Sequence, residues 1–276
     1  MEINAGLMKL HEEELYMFKQ FKYACNQLGL TYYAANGTLI GALRHKGYIP
    51  WDDDIDVSMP RRDYEIFCQN GQQYLPDDLR ILTYSDSDDD TIYTARIVKL
   101  NTRVIVNTAN ISHEDNLWMD IWALDGMPEN YVKNKIHRFE LLFRRMLVQL
   151  PKYDELIHQH RKNRPWYEKL IMKLVETFHF GKNIDIRKAK RNVERCLKKY
   201  SIEKEKYAVN FWTPYKFKEV VPSVWYGSGK DVPFENTVIH IPENADGILK
   251  SIYGDYMTLP PVEDRGKEHC IEIINI

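Results

Sequence analysis

Residues 49–57 read IPWDDDIDV and place Asp52, Asp53, Asp54 and Asp56 within five positions. Carboxylates this close repel one another, and the repulsion is destabilising unless positive charge sits among them. A metal ion is the obvious candidate. In an extended strand, side chains alternate faces, so Asp54 and Asp56 share one face while Ile55 and Val57 point to the core. Asp52 joins the polar face if the extended geometry starts early, and Asp53 lies off it. Two carboxylates two residues apart on a rigid strand make a platform for Mg2+ or Mn2+, a hard ion that takes oxygen ligands and keeps phosphate oxygens or waters as the others. A third carboxylate comes from Asp120 in WMDIW, isolated between hydrophobic residues. A lone Asp in a buried strand is costly unless paired or metal-bound.

Upstream, NGTL (36–39) offers Gly37 at a strand-to-helix turn. Such a glycine lets backbone N–H groups approach a phosphate, and a helix N-terminus favours an anion. Arg44, His45 and Lys46 add positive charge nearby. Each feature alone has a plainer reading. The acidic run could be solvated surface, Asp120 a helix cap or a satisfied core carboxylate, and NGT an ordinary turn. Their combination is more telling: G-[ST], then D-x-D in a strand, then an isolated Asp between hydrophobic residues. That order is the pattern of the nucleotidyltransferase fold.

The elements that must position these residues can be read from periodicity. Residues 6–29 carry Leu7, Leu10, Leu15, Phe18, Phe21, Cys25 and Leu28 at mostly helical spacing, with Gly29 as the stop. TYYAA (31–35) predicts a short strand, residues 36–47 a turn and short helix, and DIDVSM (54–59) a strand. Pro60 predicts the start of the helix PRRDYEIFCQNG. Residues 77–90 predict loops around one short strand, RILTY. Residues 91–100 and 103–107 predict a hairpin across Asn101 and Thr102, and 116–128 a buried strand. From Tyr131 to about Lys206 the pattern is helical, in NKIHRFELLFRRMLVQL, WYEKLIMKLVETFHF and IRKAKRNVERCLKKY. Short strands and a last helix, NADGILKSIYG, follow. The expected architecture is α/β of the α+β type: a nucleotidyltransferase-like mixed sheet flanked by helices. Residues 1–130 and 207–276 form its core, and 131–206 a basic helical insertion.

Charge supports that division. Residues 133–206 hold 21 Lys/Arg against 9 Asp/Glu, a net of +12, and the rest of the chain carries −14. The total of −2 over 276 residues argues against a generic nucleic-acid binder. Cys25, Cys68, Cys196 and Cys270 are scattered without a C-x-x-C, which disfavours a zinc site or disulfide framework and favours a reducing, cytoplasmic setting. The first residues lack the basic-then-apolar pattern of a secretory signal. No apolar run approaches the ~18 residues of a membrane span.

The stretch GTLIGALRHKGYIPWDDDIDVSMPRRDYEIF resembles the signature of the LicD family, bacterial phosphocholine transferases related to fukutin. MDIWALDGMP and IPENADGILKSIYGDYMTLPPVEDRGKEH resemble its second and third blocks. The resemblance is dense over 36–67, present at 116–128 and 233–269, and thin over 131–206. It implies a nucleotidyltransferase-like core and metal-dependent transfer of phosphocholine from CDP-choline to a sugar hydroxyl of a teichoic acid or lipopolysaccharide precursor. Relatives of the fukutin type use CDP-ribitol, so ribitol or glycerol phosphate stays open as the cargo.

Under this resemblance Asp54 and Asp56 hold one or two Mg2+ on the donor diphosphate. Asp120 is ligand, general base or both, and Asp52 is a further ligand because the pattern runs D-x-D-x-D. Gly37 and Thr38 cradle phosphate, and Arg44, Arg265 and His269 are candidates for binding the diphosphate. A choline head calls for an aromatic cage, for which Trp51, Trp118, Trp122, Trp212, Trp225 and Tyr226 are available. The basic insertion reads either as plain solvated surface or as a cradle for an anionic, lipid-linked glycan at the inner leaflet of the membrane. A true nucleotidyltransferase and a non-catalytic glycan- or lipid-binding protein remain the rival readings.

Overall fold

The computed structural model describes residues 5–85, 92–107, 112–152, 184–266 and 271–276. Helix α1 (Ala5–Leu28) lays Leu10, Met17, Phe18 and Phe21 into the core and ends where Gly29 takes a φ of +65°. It is followed by β1 (Tyr33–Ala34), α2 (Asn36–Arg44), β2 (Asp56–Pro60) and α3 (Arg61–Asn70). Strands β3 (Leu79–Leu82), β4 (Ala95–Asn107) and β5 (Ser112–Met127) come next, and then α4 (Tyr131–Gln149) and α5 (Ile186–Leu197). The chain ends with β6 (Tyr207–Val209), β7 (Val221–Pro222), the hairpin β8 (Lys230–Phe234) and β9 (Thr237–Ile241), α6 (Ala245–Tyr253) and β10 (Ile271–Asn275).

Among the described residues the main sheet has eight strands, with the path β1-β2-β5-β4-β10. Strand β3 pairs with β4, and β6 joins β5 to β7. All pairings are antiparallel except β2–β5, which run parallel with Asp56 opposite Asp120. This is the mixed α/β architecture expected from the pattern. Helix α1 packs against the sheet with α3, giving a core of Phe18, Phe21, Phe67, Ile55, Met59 and Ile97. Helices α4 and α5 pack on each other around Leu141, Val148, Val193 and Leu197. The expected helix WYEKLIMKLVETFHF lies outside the described residues.

Three local expectations are corrected. The strand expected over 54–59 begins at Asp56, because β5 pairs only with residues 56–60 and β1 only with Val57 and Ser58. Pro60 accordingly ends that strand, and the helix begins at Arg61. The hairpin across Asn101 and Thr102 is instead one strand, β4, with a bulge where the register to β5 shifts between Lys99 and Val104. Asn101 takes a φ of +62° there. The Thr102 hydroxyl donates to the Lys99 carbonyl at 2.6 Å and accepts from the Leu117 N–H at 2.8 Å, so the bulge leaves little backbone unpaired. The polar turn residues satisfy the backbone without reversing the chain. Strand β10, for which no element was predicted, pairs with the edge of β4.

Candidate active site

The turn from β1 into α2 is fastened to the first residue of β2. Asn36 opens α2 with a φ of +45°, a conformation Asn tolerates better than most residues. Its Nδ2 donates to Asp56 Oδ2 at 2.9 Å. The Asp56 N–H donates to Thr38 Oγ1 at 2.8 Å, and the Ala35 N–H donates to the Asp56 carbonyl at 3.0 Å. From β5, Trp122 Nε1 donates to Asp56 Oδ1 at 2.8 Å. Trp118, Asp120 and Trp122 share a face of β5 by strand alternation. Trp118 Nε1 donates to Asp120 Oδ2 at 3.1 Å, and Arg96 Nε on β4 donates to Asp120 Oδ1 at 2.8 Å. The Arg96 guanidinium lies over the Trp118 ring, 4.7 Å from its centroid.

The loop before β2 carries the rest of the charge. Asp52, Asp53 and Asp54 each offer a carboxylate oxygen, and these oxygens lie within 4.8 Å of one another. Asp53, expected off the polar face, therefore belongs to the group, because these residues form a loop and not a strand. Its Oδ2 accepts from the Ile271 N–H at 3.3 Å. Burial, followed by the charges of Asp56 and Asp52, pushes the Asp54 carboxyl well above the ordinary range. Burial and then Asp120 push Asp56 up to about 6, against hydrogen bonds from Trp122 and Asn36 that lower it. Crowding of this kind is destabilising unless positive charge is held among the carboxylates.

The other expected residues fall as follows. Gly37 packs against the Asp52 carboxylate, which a Cβ there would displace. Thr38 is buried, with its hydroxyl engaged by the Asp56 backbone. Arg44 donates through Nη1 to the Tyr256 carbonyl at 2.5 Å; it feels the charges of Asp52 and Arg265, and burial lowers its pKa. Arg265 donates to the Pro260 carbonyl at 3.0 Å and lies over the Trp51 ring at 4.8 Å. These two arginines are thus brought to the same side of the Asp52 loop. His269 lies outside the described residues. Of the aromatic candidates, Trp51, Trp118 and Trp122 lie at the site. Trp212 packs against Tyr93 and donates to Glu194 on α5, while Trp225 and Tyr226 pack in an apolar cluster with Tyr33.

Sequence reasoning missed Asn36 and Arg96. The signal for Asn36 was its place beside Gly37. Arg96 carried no signal, since only the pairing of β4 with β5 sets it against Asp120.

A pH effect follows from Glu219, a buried carboxyl that feels Asp56. Burial pushes it up to about 8, against a hydrogen bond from the Thr213 hydroxyl and the charge of Arg145. The folded chain then binds a proton that the unfolded chain, near 4.5, does not. This contribution is complete below pH 4.5 and is lost as pH rises through 8. Metal-free protein moved from pH 8.5 to 6.5 should gain about 2 kcal/mol, or roughly 5 °C in Tm. Below 6.5 the gain is opposed by His137, which burial lowers to about 4, so that the unfolded chain takes up its proton first. Thermal melts in chelator should show at least this slope, since the raised carboxyls of Glu14 and Asp54 add in the same direction, and Glu219→Gln should remove about 2 kcal/mol of it between pH 6.5 and 8.5.

Residues 29–153 match the family described as LicD/FKTN/FKRP, nucleotidyltransferase domain. The chain is 28% identical over 275 residues to the lipopolysaccharide cholinephosphotransferase LicD of Haemophilus influenzae, covering 96% of this chain and 97% of that protein. It is 47% identical over 104 residues to an uncharacterised protein of Rickettsia prowazekii, covering 37% of this chain and 35% of that one. A match of 45% over 47 residues links it to an uncharacterised protein of Rickettsia typhi, covering 17% of this chain and 14% of that protein. Asp56 and Asp120, paired across parallel strands, both lie inside the segment 29–153 that is similar to the LicD/FKTN/FKRP nucleotidyltransferase domain.

Proposed function

We propose that this protein is a metal-dependent transferase that moves phosphocholine from CDP-choline to a sugar hydroxyl of a cell-surface glycan precursor, of lipopolysaccharide or teichoic acid type, and releases CMP. The observation that carries the reading is the convergence of Asp56 and Asp120 on adjacent strands beside the Asp52–Asp54 loop. The near full-length likeness to a cholinephosphotransferase supports the cargo. Asp52, Asp54 and Asp56, with Asp120, are the residues that would hold Mg2+ or Mn2+. When bound, the cation would neutralise diphosphate and leaving-group charge.

The chain's own residues account for the remaining steps. Arg44 and Arg265 face the donor diphosphate from the side of the Asp52 loop, where guanidinium forks suit phosphate oxygens. The first turn of α2, at Gly37 and Thr38, presents backbone N–H groups to the same anion. Asp120, fixed by Arg96 and Trp118, accepts the proton of the acceptor hydroxyl. The new bond joins the acceptor oxygen to the choline-side phosphorus, and the bond from that phosphorus to the CMP oxygen breaks.

Among the described residues no helix is long and apolar enough to cross a membrane. Helix α4 nevertheless turns Val132, Ile136, Phe139 and Phe143 to the outside at helical spacing, with Phe139 72% exposed, and exposed Lys133 and Lys135 flank them. An apolar stripe with basic flanks fits the surface of an anionic bilayer, and this supports peripheral contact at the cytoplasmic face through the 131–206 insertion. Phe139→Ser with Phe143→Ser should abolish co-sedimentation with anionic liposomes, and neutral liposomes should bind weakly throughout.

The function itself is tested by incubating purified protein with CDP-choline, Mg2+ and a glycan acceptor extract. Acceptor-stimulated CMP release is expected. Release only from CDP-ribitol or CDP-glycerol would keep the mechanism and replace the cargo, and a nucleotidylated acceptor would replace the transferase reading with a nucleotidyltransferase.

A further inference from the structure

Glu14 sits on the stripe of α1 that faces the core, between Leu10, Met17, Phe18 and Phe21. It is completely buried, and neither carboxylate oxygen has a hydrogen-bond partner among the described residues. The charges that act on it are those of Asp53, Asp52, Asp56 and Asp120, all of its own sign. Asp54 in turn feels Glu14. The carboxyl therefore lies within electrostatic reach of the acidic cluster, outside the group of Asp52, Asp53 and Asp54 oxygens that lie within 4.8 Å of one another.

Helix α1 is held over that loop. His11 Nε2 lies 2.7 Å from the Asp52 carbonyl, and the His11 ring stacks on Tyr48 at 3.9 Å with 4° between planes. The Tyr48 hydroxyl donates to the His11 carbonyl at 2.9 Å. Glu14 is one helical turn further on, so it is carried to the same place by a fixed element.

A buried, unpaired carboxylate costs several kcal/mol. Protonation alone does not remove that cost here, because the O–H would still have no acceptor and the carbonyl oxygen no donor. Leucine or methionine would fill the same stripe without any of it. A cation between Glu14 and the loop aspartates would satisfy both sides at once. We infer that Glu14 is a further carboxylate ligand, supplied by α1, of the hard divalent cation held by the Asp52–Asp54 loop. The residue lies outside the segment 29–153 that defines the family domain. An oxygen-only ligand set selects Mg2+ or Mn2+ over zinc. This inference rests on the metal-dependent reading above.

The test is Mn2+ titration of the chelator-treated full chain, read by calorimetry and by the metal-induced rise in Tm, for wild type, Glu14→Gln, Glu14→Leu and the exposed control Glu12→Gln. Expected are a higher Tm in chelator for Glu14→Leu, Mn2+ binding weakened at least tenfold in both Glu14 variants, and a control that behaves as wild type. Wild-type Mn2+ affinity in Glu14→Gln would overturn the inference while leaving the metal reading intact. Should Glu14→Gln fail to fold, the same comparison is decided by Glu14→Leu. Wild type that binds no Mn2+ would overturn the metal reading together with this one.

Discussion

Asp56→Asn should reduce CMP release from CDP-choline by about 10³-fold or more, while raising the Tm of the metal-free protein. The two effects have one cause. Asp56 is 7% exposed and opposes Asp120 across parallel strands, so its charge is held where burial and a like charge both disfavour it. Removing the charge relieves that repulsion in the empty site. It also removes an anionic oxygen from the set proposed to hold the cation, whose effect on transition-state charge is several kcal/mol, or about three decades in rate. The backbone should survive, because Asn keeps an acceptor oxygen for Trp122 Nε1 and the bonds to Thr38 and Ala35 do not involve the side chain, although the Asn36 Nδ2 bond to Oδ2 is lost. Activity is measured as acceptor-stimulated CMP release, and stability as a melt in chelator. Near wild-type release from a folded Asp56→Asn protein would remove Asp56 from the machinery.

The largest loss of stability is expected from Arg61→Met, at about 3–5 kcal/mol. Arg61 opens α3 and is buried. It donates through Nε and Nη2 to both oxygens of Asp125 on β5, at 2.8 and 2.5 Å, and through Nη1 to Glu194 on α5 at 2.7 Å. Trp212 Nε1 donates to the other Glu194 oxygen at 3.1 Å. One guanidinium thus joins the sheet that carries Asp120 to the helix pair α4 and α5. Methionine would fill much of the volume but leave two buried carboxylates without a cation. Their uncompensated charge, more than the loss of Coulomb energy, makes the substitution costly. The triple replacement Arg61→Met, Asp125→Leu, Glu194→Met should recover most of the loss, because it removes the stranded charges as well. Urea unfolding separates the outcomes. A triple variant no more stable than Arg61→Met would show that the network's contribution lies in packing and not in charge.

What the sequence by itself determined is local. The α1 stripe, the turn at Gly37, the buried strand around Asp120 and the last helix all follow from periodicity and turn residues over a few positions. The density of Asp52, Asp53, Asp54 and Asp56 marked a candidate cation site for the same reason: like charges adjacent in the chain stay adjacent however it folds. Where local signals misled, the sheet had overruled them. Asn101 and Thr102 have the composition of a turn, yet they form a bulge because β5 continues alongside. Asp54 has the alternation of a strand residue, yet it stays in the loop because no strand is there to pair with it.

Only the tertiary structure decided how the site is completed. Asp56 lies 64 residues from Asp120, and Arg96 24 from it. Their meeting depends on the parallel register of β2 with β5 and the antiparallel register of β4 with β5. Strand register is set by the whole hydrophobic pattern and not by the residues it brings together. Glu14 reads as one of three glutamates on a charged helix start, and Arg61 as one of two arginines after a proline. Burial separates each from its neighbours, and burial is a property of what packs above a residue. A carboxylate is a surface group in water and a candidate ligand in a closed core, and the fold decides which of these Glu14 becomes.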